Sequence, residues 1–201
     1  MDLFNTDPLS NRLPYDGNVI YYGSILSNYE ASIQFTNLLE CISWVHDEAV
    51  IYGKRIVTDR KVAWYGDGHF SYTYSGTTKQ SLPWIPEIML LKKKVEQKTG
   101  VTFNSCLLNL YHSGKEGMSW HSDNEKSLGH NTTIAAVSLG AERKLMFKHK
   151  KTKENTAIHL EHGSLLVMKD NTQENWLHSI PKTKKVRTPR ISLTFRTFVG
   201  S

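Results

Sequence analysis

An α+β, mainly β fold, with helices packed outside a jelly-roll-like core, is what this 201-residue sequence predicts. Two observations carry that prediction. After Gly100, six β-type runs follow one another: VTFNSCLLNLY, TTIAAVSLG, RKLMFKH, TAIHL, GSLLVMK and PRISLTFRTFV. Turn-like or charged connectors part them, and short strands in such succession read as a sandwich or barrel. Two helical stripes lie upstream, and helices grouped ahead of strands do not suit an alternating parallel βαβ sheet.

The first helix covers Ser27 to about Val45, where Phe35, Leu38, Leu39, Ile42 and Val45 form the apolar stripe. Ser27 and Glu30 have capping-box spacing at its start. A second helix begins near Pro86, turns Ile88, Leu91 and Val95 inward and stops at Gly100. Its Lys92–Lys94 run reads as a solvated face. Between the helices, turn signals at Gly53, Gly66-Asp67-Gly68 and Gly76 stand among many aromatics and read as hairpins.

Composition bounds the function. At 39% hydrophobic and 22% charged the chain can build a core, which excludes wholesale disorder. Lys and Arg number 25 against 19 Asp and Glu, a net charge of +6. That balance favours anionic partners such as nucleic acid, though it also suits proteins that bind none. Cys41 and Cys106 make neither a disulfide framework nor a four-thiolate zinc site. The start, MDLFNTDPLSNR, lacks a secretion pattern, and no apolar run approaches the ~18 residues that span a bilayer. A soluble cytoplasmic monomer is expected, nuclear if the source is eukaryotic. Residues 1–25 carry no functional signal.

Chemistry concentrates toward the C-terminus. In Arg190-Ile191-Ser192-Leu193-Thr194-Phe195-Arg196 a strand sends Ile191, Leu193 and Phe195 to one side and the four polar residues to the other. The two arginines stand roughly 20 Å apart along such a strand, too far to grip one carboxylate together. Their face is either solvent-exposed or the lining of a site. His121-Ser122-Asp123 puts an imidazole and a carboxylate on one side of an extended segment, and a further histidine would complete a two-His-one-carboxylate ferrous site. His159-Leu160-Glu161-His162 is a rival ligand set, although it looks more like a turn. Asn109 and Tyr111 share one face of their strand and suit either a pocket lining or ordinary burial.

In order and spacing, Asn109-Leu110-Tyr111, His121-x-Asp123, Glu161-His162-Gly163, His178 and the Arg190–Arg196 strand resemble the AlkB family of Fe(II)/2-oxoglutarate-dependent dioxygenases. The resemblance covers roughly residues 52–199. It implies a double-stranded β-helix core over residues 86–201, preceded over residues 1–85 by a helix and a nucleotide-recognition lid, in one compact unit. By that resemblance His121, Asp123 and His178 hold Fe(II), while Arg190 and Tyr111 take the distal carboxylate of 2-oxoglutarate. Arg196 and Asn109 lie by its chelating end, so the arginines need not share a carboxylate. Ser192 stands where the family usually has Asn, which costs the cosubstrate a hydrogen bond or passes it to water.

The implied reaction is DNA repair: with O2 as oxidant, N-methyl groups of bases such as 1-methyladenine and 3-methylcytosine leave as formaldehyde, beside succinate and CO2. Tyr72 and Tyr74 match positions that touch a flipped-out base, and Glu125 the acidic residue beside it. Arg60 and Lys61 belong to the lid. Tyr52 replaces the usual phenylalanine of a hairpin wedge, with core packing as its alternative. The basic segments Lys148–Lys153 and Lys182–Arg187 either neutralise phosphates or only solubilise. RNA or protein substrates on the same core, and a nucleic-acid-binding module without catalysis, are the competing readings. The lid and Glu125 favour a base over a peptide side chain, and the intact His121, Asp123 and His178 favour catalysis. A cupin-type isomerase would need no paired arginines.

Overall fold

Strand alternation divides this protein into two facing sheets and a helical layer. A computed structural model describes residues 9–51, 54–68, 70–74 and 77–199. In chain order the elements are β1 (Asn18–Ser24), α1 (Asn28–Cys41), β2 (Val45–Ile51), β3 (Lys54–Gly66), β4 (Ser71–Tyr74), β5 (Thr77–Gln80), β6 (Leu82–Pro83) and α2 (Pro86–Thr99). The second half runs β7 (Ser105–Tyr111), β8 (Met118–His121), a 3-10 turn (Lys126–Leu128), β9 (Ile134–Gly140), β10 (Arg143–His149), β11 (Asn155–Leu160), β12 (Ser164–Lys169), α3 (Thr172–Asn175), β13 (Trp176–Ile180) and β14 (Arg190–Arg196).

The major sheet has the order β1-β12-β9-β14-β7-β3-β2, with β6 beside β3. The minor sheet runs β11-β10-β13-β8, and β4 and β5 form a separate hairpin. Such a two-sheet core is the expected double-stranded β-helix. Strands from both sides of residue 85 share the major sheet.

On one face of that sheet Cys106, Leu108, Leu110, Val137, Leu139, Ile191, Leu193 and Phe195 meet Leu38, Ile88, Leu91 and Val95 of α1 and α2. The alternate residues turn toward the minor sheet, where Val19, Ile134, Leu166 and Met168 pack on Leu145, Phe147, Ile158 and Trp176. Each fully buried side chain of this size contributes ~1.5–3 kcal/mol.

Both expected helices form. Ser27 caps α1 in a reciprocal box with Glu30, and Gly100 closes α2 in the left-handed region, φ 69°. The Lys92–Lys94 face is laced by the pairs Lys92–Glu96 and Lys94–Glu30. The first helix is shorter than its periodicity indicates. Ile42 is already extended, and Val45 opens β2 opposite Val62. Joining the sheet ends the helix, which leaves Val45 58% and Leu39 38% exposed. Among the described residues no helix is long and apolar enough to cross a membrane.

Candidate metal centre

The polar face of β14 lies between the sheets. Arg190, Ser192 and Thr194 are all buried, so the reading of that face as solvent-exposed is wrong. Arg190 pairs with Tyr111 of β7 and Gly140 of β9, Ser192 with Asn109 and Ser138, and Arg196 with Ser105. Hence Tyr111, Asn109, Arg190, Ser192 and Ser138 form one cross-strand cluster, while Arg196 sits at the strand's other end.

That other end meets the histidines. β8 and β13 place His121 and His178 directly opposite each other, their ring centroids 4.2 Å apart. Asp123 follows two residues after His121, and one ligand atom from each of His121, Asp123 and His178 lies within 4.8 Å of the others. The His121 Nδ1 donates to the Ser119 carbonyl at 2.8 Å, which fixes the ring and turns Nε2 toward Asp123. Burial pushes His178 down to about 4 against the opposing pull of Asp123, which keeps its ring neutral, the form that binds metals. Burial alone would raise the Asp123 carboxyl, but neighbouring positive charge, Arg196 foremost, outweighs it and holds it below its usual value. Arg196 Nη2 lies 3.0 Å from Asp123 Oδ2, while Oδ1 faces His121 Nε2 at 3.6 Å. Two imidazoles and a carboxylate are a donor set suited to ferrous iron.

The cluster at Tyr111 has the opposite character. Arg190 donates to the hydroxyls of Ser138 (2.7 Å) and Ser192 (3.3 Å), and its Nε has no partner among the described residues. Arg143, buried on β10, donates to the carbonyls of Glu116 (2.9 Å) and Pro181 (2.8 Å). Both guanidiniums stand over the Tyr111 ring, at 5.4 and 5.9 Å. Neither forms a salt bridge with a described carboxylate, yet burying an unpaired charge is costly. The cluster therefore holds buried positive charge that an added anion would balance.

Arg60 and Lys61 part company. Lys61 pairs with Leu110, a helix-side residue, and Val62 with Asn109, which puts Arg60 and Lys61 on opposite sheet faces. Arg60 donates to Asn109 Oδ1 at 2.5 Å and pairs with Asp47, so its guanidinium points into the site. Glu125 lies beyond Asp123 and lines a groove of about 250 Å³ with Gln173 and Glu174. Its Oε2 is buried without a partner among the described residues. Tyr72 and Tyr74 lie on β4, paired with Lys79 and Thr77, their side chains outside the description, and Tyr52 falls outside the described residues.

The rival ligand set does not converge. His162 Nδ1 accepts the Gly140 N–H at 2.9 Å, and His159 lies 3.5 Å from Glu142. Arg143, Ser138 and Gln173 escaped the sequence reading, and Lys150, read there within a phosphate-neutralising or solubilising segment, instead bonds Ser122 and Gln173. For Arg143 a signal existed, since in RKLMFKH it is in phase with the buried Leu145 and Phe147.

The description "2OG-Fe(II) oxygenase superfamily" belongs to a family model that matches residues 18–196. Alpha-ketoglutarate-dependent dioxygenase alkB homolog 3 of Bos taurus is 39% identical over 178 residues, 84% of this chain and 62% of its own. DNA oxidative demethylase ALKBH2 of Bos taurus is 41% identical over 73% of this chain and 55% of its own. The Arabidopsis thaliana ALKBH2 is 32% identical, with 92% and 67% covered. This chain thus spans less than two thirds of the length of the bovine relatives. A solved structure of OsALKBH1 shares the fold with a TM-score of 0.63 at 16% identity, covering 89% of this chain and 97% of that one.

Proposed function

This chain belongs to the AlkB family of 2OG-Fe(II) oxygenases, and we propose that it removes N-alkyl groups from nucleobases, with DNA as the substrate. Fe(II), 2-oxoglutarate and O2 are the family's cofactor and cosubstrates. One observation carries the reading: a His-Asp-His set at one end of β14 and, toward its other end, two buried guanidiniums that lack carboxylate partners among the described residues.

In this reading His121, Asp123 and His178 hold the iron. Bound there, iron with 2-oxoglutarate and O2 supplies the oxidation, in which the N-methyl group leaves as formaldehyde while the cosubstrate becomes succinate and CO2. The residues around it bind and orient. Arg190, with Tyr111 and Ser192, receives the far carboxylate of the dianion, and Asn109 serves its other end. Arg196 offsets the charge of Asp123 and keeps one carboxylate oxygen turned away from the histidines. Serine at 192 is short, and Ser138, directly opposite, supplies the second hydroxyl that steadies Arg190.

For the base, Glu125 is the acceptor. A buried carboxylate oxygen without a partner favours a cationic, methylated ring over a neutral one. Tyr72, Tyr74 and Tyr52 contact the flipped nucleotide from the lid. Arg60 joins the cosubstrate side rather than a phosphate. DNA is preferred because ALKBH2 relatives bear the name DNA oxidative demethylase.

The test is mass spectrometry of a single-stranded DNA oligonucleotide with one 1-methyladenine, incubated with the protein, Fe(II), ascorbate and 2-oxoglutarate. Loss of one methyl mass that needs 2-oxoglutarate and disappears in Asp123→Ala is expected. Succinate without loss of the methyl group would discard the substrate, and neither product would discard the activity.

A further inference from the structure

We propose that Gln173 is a positioning residue for Asp123, locked in place by Lys150; the proposal rests on the reading of His121, Asp123 and His178 as the metal site. The chain leaves β8 at His121, and residues 122–125 have no strand partner. Asp123 is nevertheless buried, and its main-chain N–H must find an acceptor there. It donates to Gln173 Oε1 at 2.9 Å.

Gln173 is itself buried and fixed at two further atoms. Its Nε2 donates to Met168 Sδ at 3.4 Å, and its main-chain carbonyl accepts from Lys150 Nζ at 2.8 Å. The same Nζ donates to Ser122 Oγ at 3.0 Å. Lys150 therefore ties Gln173 to Ser122, the residue that precedes Asp123, although the sequence groups it with a basic segment that neutralises phosphates or solubilises.

Gln173 lies on α3, which runs directly into β13 and His178. The clamp thus joins the segment carrying His121 and Asp123 to the one carrying the third ligand. Asp123 is gripped at both ends, by Arg196 at its carboxylate and by Gln173 at its backbone. Such outer partners set ligand orientation, and losing one weakens metal binding about 10- to 100-fold.

Mn(II) titration, followed by the electron paramagnetic resonance signal of the free ion, tests this in the full chain. Gln173→Met, of similar size but without the acceptor, is expected to weaken binding about 10- to 100-fold. Gln173→Glu, which keeps an oxygen at that reach, is expected to restore it. A purely structural Gln173 would lower the melting temperature of the metal-free protein and leave Mn(II) affinity unchanged, and that result overturns the proposal. Lys150→Met provides a second variant should Gln173→Met not fold: weaker Mn(II) binding supports the clamp, and parental affinity overturns it. Asp123→Ala separates the two levels of argument. If it abolishes binding while Gln173→Met does not, only the clamp fails; if it binds as the parent does, the metal reading fails and the clamp with it.

Discussion

Tyr111 carries three guanidiniums over its ring, those of Arg190, Arg143 and Arg60, at 5.4 to 6.0 Å. An aromatic face attracts each by ~0.5–2 kcal/mol, which works against the repulsion that Arg143 exerts on Arg190. Their partners differ. Arg60 is matched by Asp47, Arg143 by carbonyls and Arg190 by hydroxyls, so Arg190 has the weakest set and the most to gain from a dianion. Arg190→Met should raise the dissociation constant of 2-oxoglutarate by roughly 10- to 100-fold, as for loss of a hydrogen bond to a charged group worth ~1.5–3 kcal/mol. Calorimetry with the Mn(II)-loaded protein measures it; parental affinity would remove Arg190 from the cosubstrate site. Glu125→Gln should cut the rate on 1-methyladenine while leaving that affinity within a few-fold, because it keeps the shape of the side chain and removes the charge beside the base.

Elements were legible where pattern and packing agree. β7, β10 and β14 follow clean alternation, and α2 shows its stripe, its proline and its closing glycine, so each stands in the sequence much as it folds. β8 and β13 did not, although they carry His121 and His178. The four residues Met118–His121 are too short for a period, and His178-Ser179-Ile180 is buried throughout, which hides alternation. Of the site, its ligands were legible through motif order and Arg143 through its phase in β10, whereas Gln173 and Lys150 act through contacts between distant segments that no local window displays. At the start of α1 the capping box gives two tests. Ser27→Ala should cost about 1 kcal/mol and lower the melting temperature by about 2–4 °C. Glu30 is drawn from 4.5 to about 2, chiefly by Lys94 and then by Ser27. With its folded value depressed, it contributes stability that is present above pH 4.5 and lost as pH falls toward 2. Glu30→Gln should flatten the dependence of melting temperature on pH in that window; an unchanged slope would deny the interaction.

For the whole molecule, the metal site ties the minor sheet's edge strand β8 to β13. A divalent ion that binds only the folded chain should therefore stabilise it, by about 2.7 kcal/mol at a hundredfold excess over its dissociation constant. Scanning calorimetry with Mn(II) and after chelation checks this, and equal melting temperatures would mean that the folded chain binds no ion preferentially. The position of β14 has another consequence, one of timing. It follows all the other described strands in the sequence, yet it enters the middle of the major sheet, between β9 and β7. Closing that sheet therefore waits on β14, and with it the arrival of Arg196 beside Asp123 and of Arg190 in the Tyr111 cluster.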